Sequence, residues 1–246
     1  AWPLSFIFFI IEARESIKNP IVDADVNILG SLNILENCRK FGVKKIVFAS
    51  SGGEIYGQAK IIPTPEDYPP SPISPYGIAK LTVEKYLESY YKMYNMNFVA
   101  LRCGNVYGPR QNPYGEAGVI AIFANKMLKG EQPLIHGDGQ QTKDYIFIDD
   151  VVSATLLASE EDINGPINIA TGKETSVLEI FDELKKLTNS NVKRKFVPFP
   201  PCGFKKGCLS IEKAKKIINW QPQDGLNSGL ATTVYWFKKY GKQYFK

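Results

Sequence analysis

Tyr76 and Lys80 stand four residues apart in the stretch Tyr76-Gly77-Ile78-Ala79-Lys80, so on a helix a phenol and an ammonium share one face. A positive charge beside a phenol favours the phenolate and draws its pKa from about 10 toward neutral pH. Such a group can exchange a proton with an alcohol. The spacing alone also describes a solvated pair on a helix surface, and the setting distinguishes the two. Ser50-Ser51 closes an apolar, strand-like run, and Tyr76 opens the next helix after a long loop. A hydroxyl and a phenol are thereby delivered to one end of a sheet. Ser51 read in isolation would serve a turn.

Other chemistries find little support. There is one histidine, His136, and the four cysteines (Cys38, Cys103, Cys202, Cys208) lack the paired spacing of a zinc site, so no metal is expected. The net charge of +5 is spread along the chain, which points to no nucleic-acid partner. The apolar run from Leu4 to Ile11 falls well short of the ~20 residues of a spanning helix, and no basic segment precedes it as in a signal peptide. It reads as a buried parallel strand. No membrane partner, a cytoplasmic location and reduced thiols are the expectations.

The elements that must position Tyr76 follow from periodicity. Asn19-Pro20 predicts a capped helix start with Asp23 and Asp25 in its first turn, Ile28, Leu32 and Leu35 on its apolar face, and Gly42 as its stop. Lys45 to Ser50 is a short strand, Gly52 to Pro75 a long loop, Tyr76 to Tyr94 a helix, and Phe98 to Leu101 a further strand. A second Gly/Pro-rich loop runs from Arg102 to Gly118. Both loops leave the carboxyl ends of strands, where doubly wound sheets bind ligands. Shorter elements follow: a helix over Ile120 to Leu128, strands at Leu134-Ile135 and Tyr145 to Ile148, and a helix led by Asp149-Asp150. Ser176 and Glu179 form a capping box, and Ser210 is expected to cap a short helix ending before Trp220. The fold class is α/β. A sheet-based unit over residues 1–115 is followed by a smaller α/β lobe over residues 116–246, the two interleaved.

The ordered segments Val26-Asn27-Ile28-Leu29-Gly30-Ser31, Phe48-Ala49-Ser50-Ser51-Gly52-Gly53-Glu54-Ile55-Tyr56-Gly57 and Ser74-Pro75-Tyr76-Gly77-Ile78-Ala79-Lys80 resemble the extended short-chain dehydrogenase/reductase family, in its UDP-glucose 4-epimerase branch. Arg102-Cys103-Gly104-Asn105-Val106-Tyr107-Gly108-Pro109-Arg110-Gln111 and Gly137-Asp138-Gly139-Gln140-Gln141-Thr142-Lys143-Asp144-Tyr145 extend the resemblance, which runs from about Ala13 to the C-terminus. It implies a Rossmann-like, doubly wound parallel sheet, here incomplete, with a substrate lobe. It also implies an NAD-dependent inversion of a nucleotide sugar, of the UDP-glucose/UDP-galactose type, through a transient 4-keto sugar.

By that resemblance Tyr76 takes the 4-hydroxyl proton, Lys80 tunes Tyr76 and holds the nicotinamide ribose, and Ser51 orients the hydroxyl. Asn27, Ala49 and Ser50 fall with Tyr76 and Lys80 in the cofactor region. Asn105, Val119, Leu134, Ile135, His136, Lys143 and Tyr145 fall where the family contacts the UDP-sugar. The resemblance further implies a homodimer. Lys143 stands where the family usually has Arg, which keeps the attraction for phosphate and gives up the bidentate fork.

Three departures bear on these expectations. The family's Gly-x-x-Gly-x-x-Gly turn, which meets the cofactor diphosphate at a helix N-terminus, does not occur in the sequence. By the family's order of elements roughly two βαβ units of ~30 residues are missing upstream, which implies an N-terminally truncated member with impaired NAD binding. Phe8 and Phe9 replace small residues near the nicotinamide, and Phe199-Pro200-Pro201-Cys202-Gly203-Phe204 lacks an Arg and an acid expected there. The rivals are a nucleotide-sugar 4,6-dehydratase or another extended short-chain dehydrogenase, and a catalytically dead remnant or binding module. A dehydratase needs Thr-Asp-Glu before Tyr-Gly; Glu54 fits, whereas Gly53 stands where Asp is required.

Overall fold

The computed structural model describes residues 4–5, 13–114, 118–199 and 205–244. Its centre is a four-stranded parallel sheet in the order β1-β2-β3-β8, formed by Leu4–Ser5 (β1), Lys45–Ser51 (β2), Asn97–Cys103 (β3) and Gly165–Ile169 (β8). Nearly every described residue of β2 and β3 is buried, as expected of strands covered on both faces. Side chains alternate across the sheet. Ile46, Phe48, Phe98 and Ala100 pack in one apolar cluster with Leu35 and Cys38 of α3 (Gly30–Lys40) and Val83, Leu87 and Tyr90 of α5 (Pro75–Tyr94). Val47, Val99, Leu101 and Ile167 pack on the other face with Val151, Ala154 and Ala158 of α7 (Ile148–Glu160) and Ala214 and Ile218 of α9 (Glu212–Ile218).

A second apolar centre joins α6 (Val119–Leu128), α8 (Val177–Thr188) and α10 (Leu226–Tyr244) around the short strands β5 (Ile135–His136) and β7 (Tyr145–Phe147). Three two-stranded ladders complete this part: β4 (Asn105–Tyr107) beside β7, β6 (Thr142–Lys143) antiparallel to β9 (Thr175–Ser176), and β5 beside β10 (Phe196–Val197). The chain passes from the large sheet to the small one within a single residue, Gly104, between β3 and β4. A Cβ there would sit 2.7 Å from the Asp144 carbonyl oxygen, so no side chain fits.

Several local expectations are corrected. Asn19 precedes α2 (Pro20–Ala24) without capping it, because its amide is donated to Glu15 Oε1 of the extra helix α1 (Ala13–Lys18). Asp23 is 1% exposed, because α2 packs on α5 and turns that face inward. A π-helical turn, Asp25–Leu29, links α2 to α3. The first long loop opens with a short helix, α4 (Gly52–Tyr56), and the second contains β4. Ile148 starts α7 instead of ending β7. The capping box of Ser176 and Glu179 is present. Ser210 caps nothing; its N–H goes to Thr64 O and its carbonyl accepts from Asn168 Nδ2. The segment Phe6–Ile11 and residues Pro200–Phe204 lie outside the described residues. Cys38, Cys103 and Cys208 are free and buried.

Asp144, between β6 and β7, fastens three segments. Its carboxylate accepts from Thr171 N (2.8 Å), Thr171 Oγ1 (2.6 Å), Gly172 N (3.0 Å), Leu209 N (3.3 Å) and Cys208 Sγ (3.5 Å). Removing it strands buried donors, each costing roughly 1–3 kcal/mol, with partial recovery by water. Asp144→Ala is therefore expected to lower unfolding free energy by about 3 kcal/mol or more, read as a lower urea midpoint at unchanged slope.

Candidate active site

The start of α5 is fixed from two sides. Ser74 caps the helix, accepting from Gly77 N at 3.1 Å, and donates its own hydroxyl to Glu54 Oε2 of α4 at 2.7 Å. Pro75 fills the first helical position, where no N–H partner is needed. The N–H of Tyr76 is donated to the buried Ser16 hydroxyl of α1 at 3.1 Å. Gly77 lies so close to α4 that a Cβ would stand 2.5 Å from the Glu54 carbonyl oxygen. Tyr76 thus enters at a set height above the carboxyl end of β2.

Lys80, one turn on, is 2% exposed. Its Nζ donates to the Ala49 carbonyl oxygen at 3.0 Å and lies 4.8 Å from the centre of the Phe48 ring and 5.5 Å from that of Tyr76. Burial pulls the ammonium down to about 8, against the opposing influence of Cys103, Asp23 and Glu84. Asp23 is pushed above the usual carboxylate range by burial, opposed by the Asn27 hydrogen bond and the Lys80 charge. Asn27, 4% exposed in the π-helical turn, gives its Nδ2 to Asp23 Oδ1 at 2.7 Å, and its carbonyl accepts from Ser31 Oγ at 2.5 Å. Ser51 ends β2 and precedes α4 with a half-buried hydroxyl that does not cap it. Tyr76, Lys80 and Ala49 therefore meet near the end of β2, Asn27 joins them through Asp23, and Ser51 is the last residue of that strand.

The other residues singled out in the sequence divide. Asn105 is exposed at the start of β4, and Val119 is half-buried at the start of α6. Leu134 is exposed, and His136 places Nδ1 3.2 Å from the Pro198 carbonyl oxygen. Lys143, on β6, feels the Glu54 charge, and burial brings its ammonium down to about 7. Two side chains go elsewhere. Ile135 (0% exposed) and Tyr145 belong to the core between α6, α8 and α10, because their short strands turn them inward; burial raises the Tyr145 phenol above its usual value. Ser50 is also committed, its hydroxyl donated to Glu84 Oε1 at 2.6 Å.

Sequence reasoning overlooked Asp23 as a buried charge and Glu84 altogether, and gave Arg102 and Asp144 no role beyond their place in family-like segments. Two of these left a signal: Glu84 repeats the four-residue step from Tyr76 through Lys80, and Arg102 is a lone charge in an apolar strand. Among the described residues no cluster of three or more His, Cys, Asp or Glu could hold a metal ion. None of the described helices is long and apolar enough to cross a membrane.

Residues 9–170 match the family model described as the NAD dependent epimerase/dehydratase family. The chain is 39% identical over 229 residues to the UDP-glucose 4-epimerase of Mycolicibacterium smegmatis, covering 93% of this chain and 73% of that protein. It is similar to the crystal structure of a UDP-glucose 4-epimerase with UDP-glucose from Thermotoga maritima, at 45% identity and a TM-score of 0.93, covering 96% of this chain and 77% of that one. The UDP-glucose 4-epimerase of Thermus thermophilus, solved in complex with NAD, is 36% identical with a TM-score of 0.90, over 96% and 78% of the two chains.

The close approach of α4 to Gly77 gives a direct test of how α5 is placed. Gly77→Ala should cost about 1–3 kcal/mol, because the clash is with backbone and not with a side chain that can turn away. A urea titration with an unchanged midpoint would contradict this packing.

Proposed function

Because the chain belongs to the NAD dependent epimerase/dehydratase family, we propose that it is an NAD-dependent 4-epimerase of UDP-sugars of the UDP-glucose/UDP-galactose type. The observation that carries this reading is the Tyr76 ring 5.5 Å from a buried Lys80 ammonium at the carboxyl end of β2. The relatives named above, UDP-glucose 4-epimerases at 36–45% identity, support the same substrate class.

Tyr76 takes the proton of the sugar's 4-hydroxyl and returns it when the alcohol re-forms. Lys80 favours the phenolate through its charge. Ser51 donates to the same sugar oxygen and holds it in line. The chemistry of the donor set fits the nicotinamide-ribose end of the cofactor: Lys80 offers a cation, Asn27 an amide, and Ala49 leaves room beside them. When bound, NAD supplies hydride acceptance and return at C4. Inversion requires the sugar to turn while its nucleotide stays fixed, and on this reading Lys143 and Asn105 hold the UDP portion, with Val119, Leu134 and His136 beside it. Exposed apolar side chains along α2 and the π-helical turn (Ile21, Val22, Leu29) and on the adjoining α5 (Ile78, Tyr86) support a homodimer paired through these helices.

The direct experiment incubates the purified protein with NAD and UDP-galactose and follows UDP-glucose. Tyr76→Phe should lower turnover by about 10²-fold or more while leaving the unfolding midpoint nearly unchanged. Turnover that survives this change would remove Tyr76 from the reaction.

Lys143 makes a second prediction. A diphosphate favours its protonated form, so UDP-sugar affinity should be greatest below pH 7. It should weaken as pH rises through about 7, by up to about tenfold per unit until the complex itself loses the proton. Lys143→Arg, charged throughout, should flatten that dependence in calorimetric titrations between pH 6 and 9.

A further inference from the structure

Ser50 and Arg102 are register partners across β2 and β3, and Arg102 pairs in turn with Asn168 of β8. Alternation sends Ser50 and Arg102 to the face shared by Phe48 and Ala100, under α5. There they meet Glu84. One carboxylate oxygen of Glu84 accepts from Ser50 Oγ at 2.6 Å and Arg102 Nε at 3.1 Å, and the other from Arg102 Nη2 at 2.6 Å. The two charged side chains are 5% and 6% exposed. Arg102 Nη1 donates to the Tyr56 hydroxyl at 2.8 Å, which donates to Asn168 Oδ1 at 3.0 Å, and Asn168 Nδ2 closes on the carbonyls of Thr64 and Ser210.

A buried ion pair seldom adds stability over apolar side chains of the same size, so stability alone does not account for its position. Its position relative to Lys80 does. Glu84 lies one helical turn beyond Lys80, and it holds Ser50 while Lys80 holds the carbonyl of the preceding residue, Ala49. The two α5 side chains thus fasten consecutive residues of β2, directly before Ser51.

We propose that Glu84 is a positioning residue for the proton-handling set, fixing the end of β2 against α5 through Ser50 and Arg102 and presenting its negative charge to the Lys80 ammonium. The inference rests on the reading of Tyr76 and Lys80 given above. The groups that face Lys80 are Tyr76 and Glu84 of α5, Asp23 of α2, Cys103 of β3 and the Phe48 ring of β2, with Arg102 behind Glu84. Glu84→Gln removes one negative charge and leaves Arg102 uncompensated. Both changes disfavour a protonated Lys80.

The test has two readouts. In turnover, the alkaline limb of kcat for Glu84→Gln should move down by about one pH unit, whereas Glu84→Asp, which keeps the charge and shortens the reach, should keep the limb in place with a lower kcat. In NMR of lysine-labelled protein, with the Lys80 signal assigned by Lys80→Arg, the titration of Lys80 should move by the same amount. A folded Glu84→Gln protein in which Lys80 titrates as in the wild type overturns the proposal. Should that variant fail to fold, Ser50→Ala removes the tether alone: a several-fold fall in kcat at constant KM supports the proposal, and an unchanged kcat overturns it. If the wild type does not epimerise UDP-galactose and the Lys80 titration still shifts in Glu84→Gln, the proposed function fails and the positioning role stands.

Discussion

A lysine ammonium enclosed between a helix and a strand end is the constraint around which this fold is arranged. Desolvation disfavours the charged form, so a buried lysine stays protonated only where carbonyl dipoles and carboxylates compensate. Lys80 has both, the Ala49 carbonyl in contact and Asp23 and Glu84 near. Each partner imposes a structural requirement. Ala49 must lie near the end of a strand, Asp23 must face inward from a helix that would otherwise expose it, and Glu84 must be balanced by an arginine from the neighbouring strand. The π-helical turn fits the same requirement, since it carries Asn27, whose amide satisfies one oxygen of Asp23.

The apolar architecture serves this arrangement in a simple way. Period-two alternation separates the two faces of the parallel sheet, so one set of residues on β2 and β3 goes to α3 and α5 and the other to α7. Polar residues that follow the same parity at the strand ends, Ser50 and Arg102, are then carried to α5 without any change in backbone geometry. The smaller part of the molecule keeps a separate apolar centre, and its ladders β4–β7 and β6–β9 hold Asn105 and Lys143. On the proposed reading, proton handling and nucleotide holding fall to different cores.

Much of this was legible in the residues. Tyr76 and Lys80 announced themselves by spacing, Ser176 and Glu179 by their capping chemistry, and the central strands by unbroken apolar runs. What was not legible depended on contacts distant in sequence. Asp23 reads as a helix-start acid favoured by the dipole, and only the packing of α2 on α5 makes it buried. Ser210 has a good capping residue's chemistry, yet its backbone is committed to Thr64 and Asn168. Ile135 and Tyr145 lie in segments that resemble ligand contacts, but strands of two and three residues have so few side chains that most of them are needed for the core. Glycine-rich stretches such as Gly52-Gly53 looked like loop for want of side chains; α4 forms there, and Gly52 lies so close to Leu209 that a side chain on it would meet the leucine methyls.

The Asp144 junction has a consequence for motion. The chain crosses between sheets at Gly104 with no space around it, the Asp144 carbonyl accepts from Asn105 N at 2.6 Å, and the carboxylate fastens the segments at residues 171–172 and 208–209. Rocking one core against the other would tear several buried hydrogen bonds at once. Entry and exit of a ligand therefore fall to rearranging loops and rotating side chains, and the turning of a sugar takes place inside a frame that does not open like a jaw.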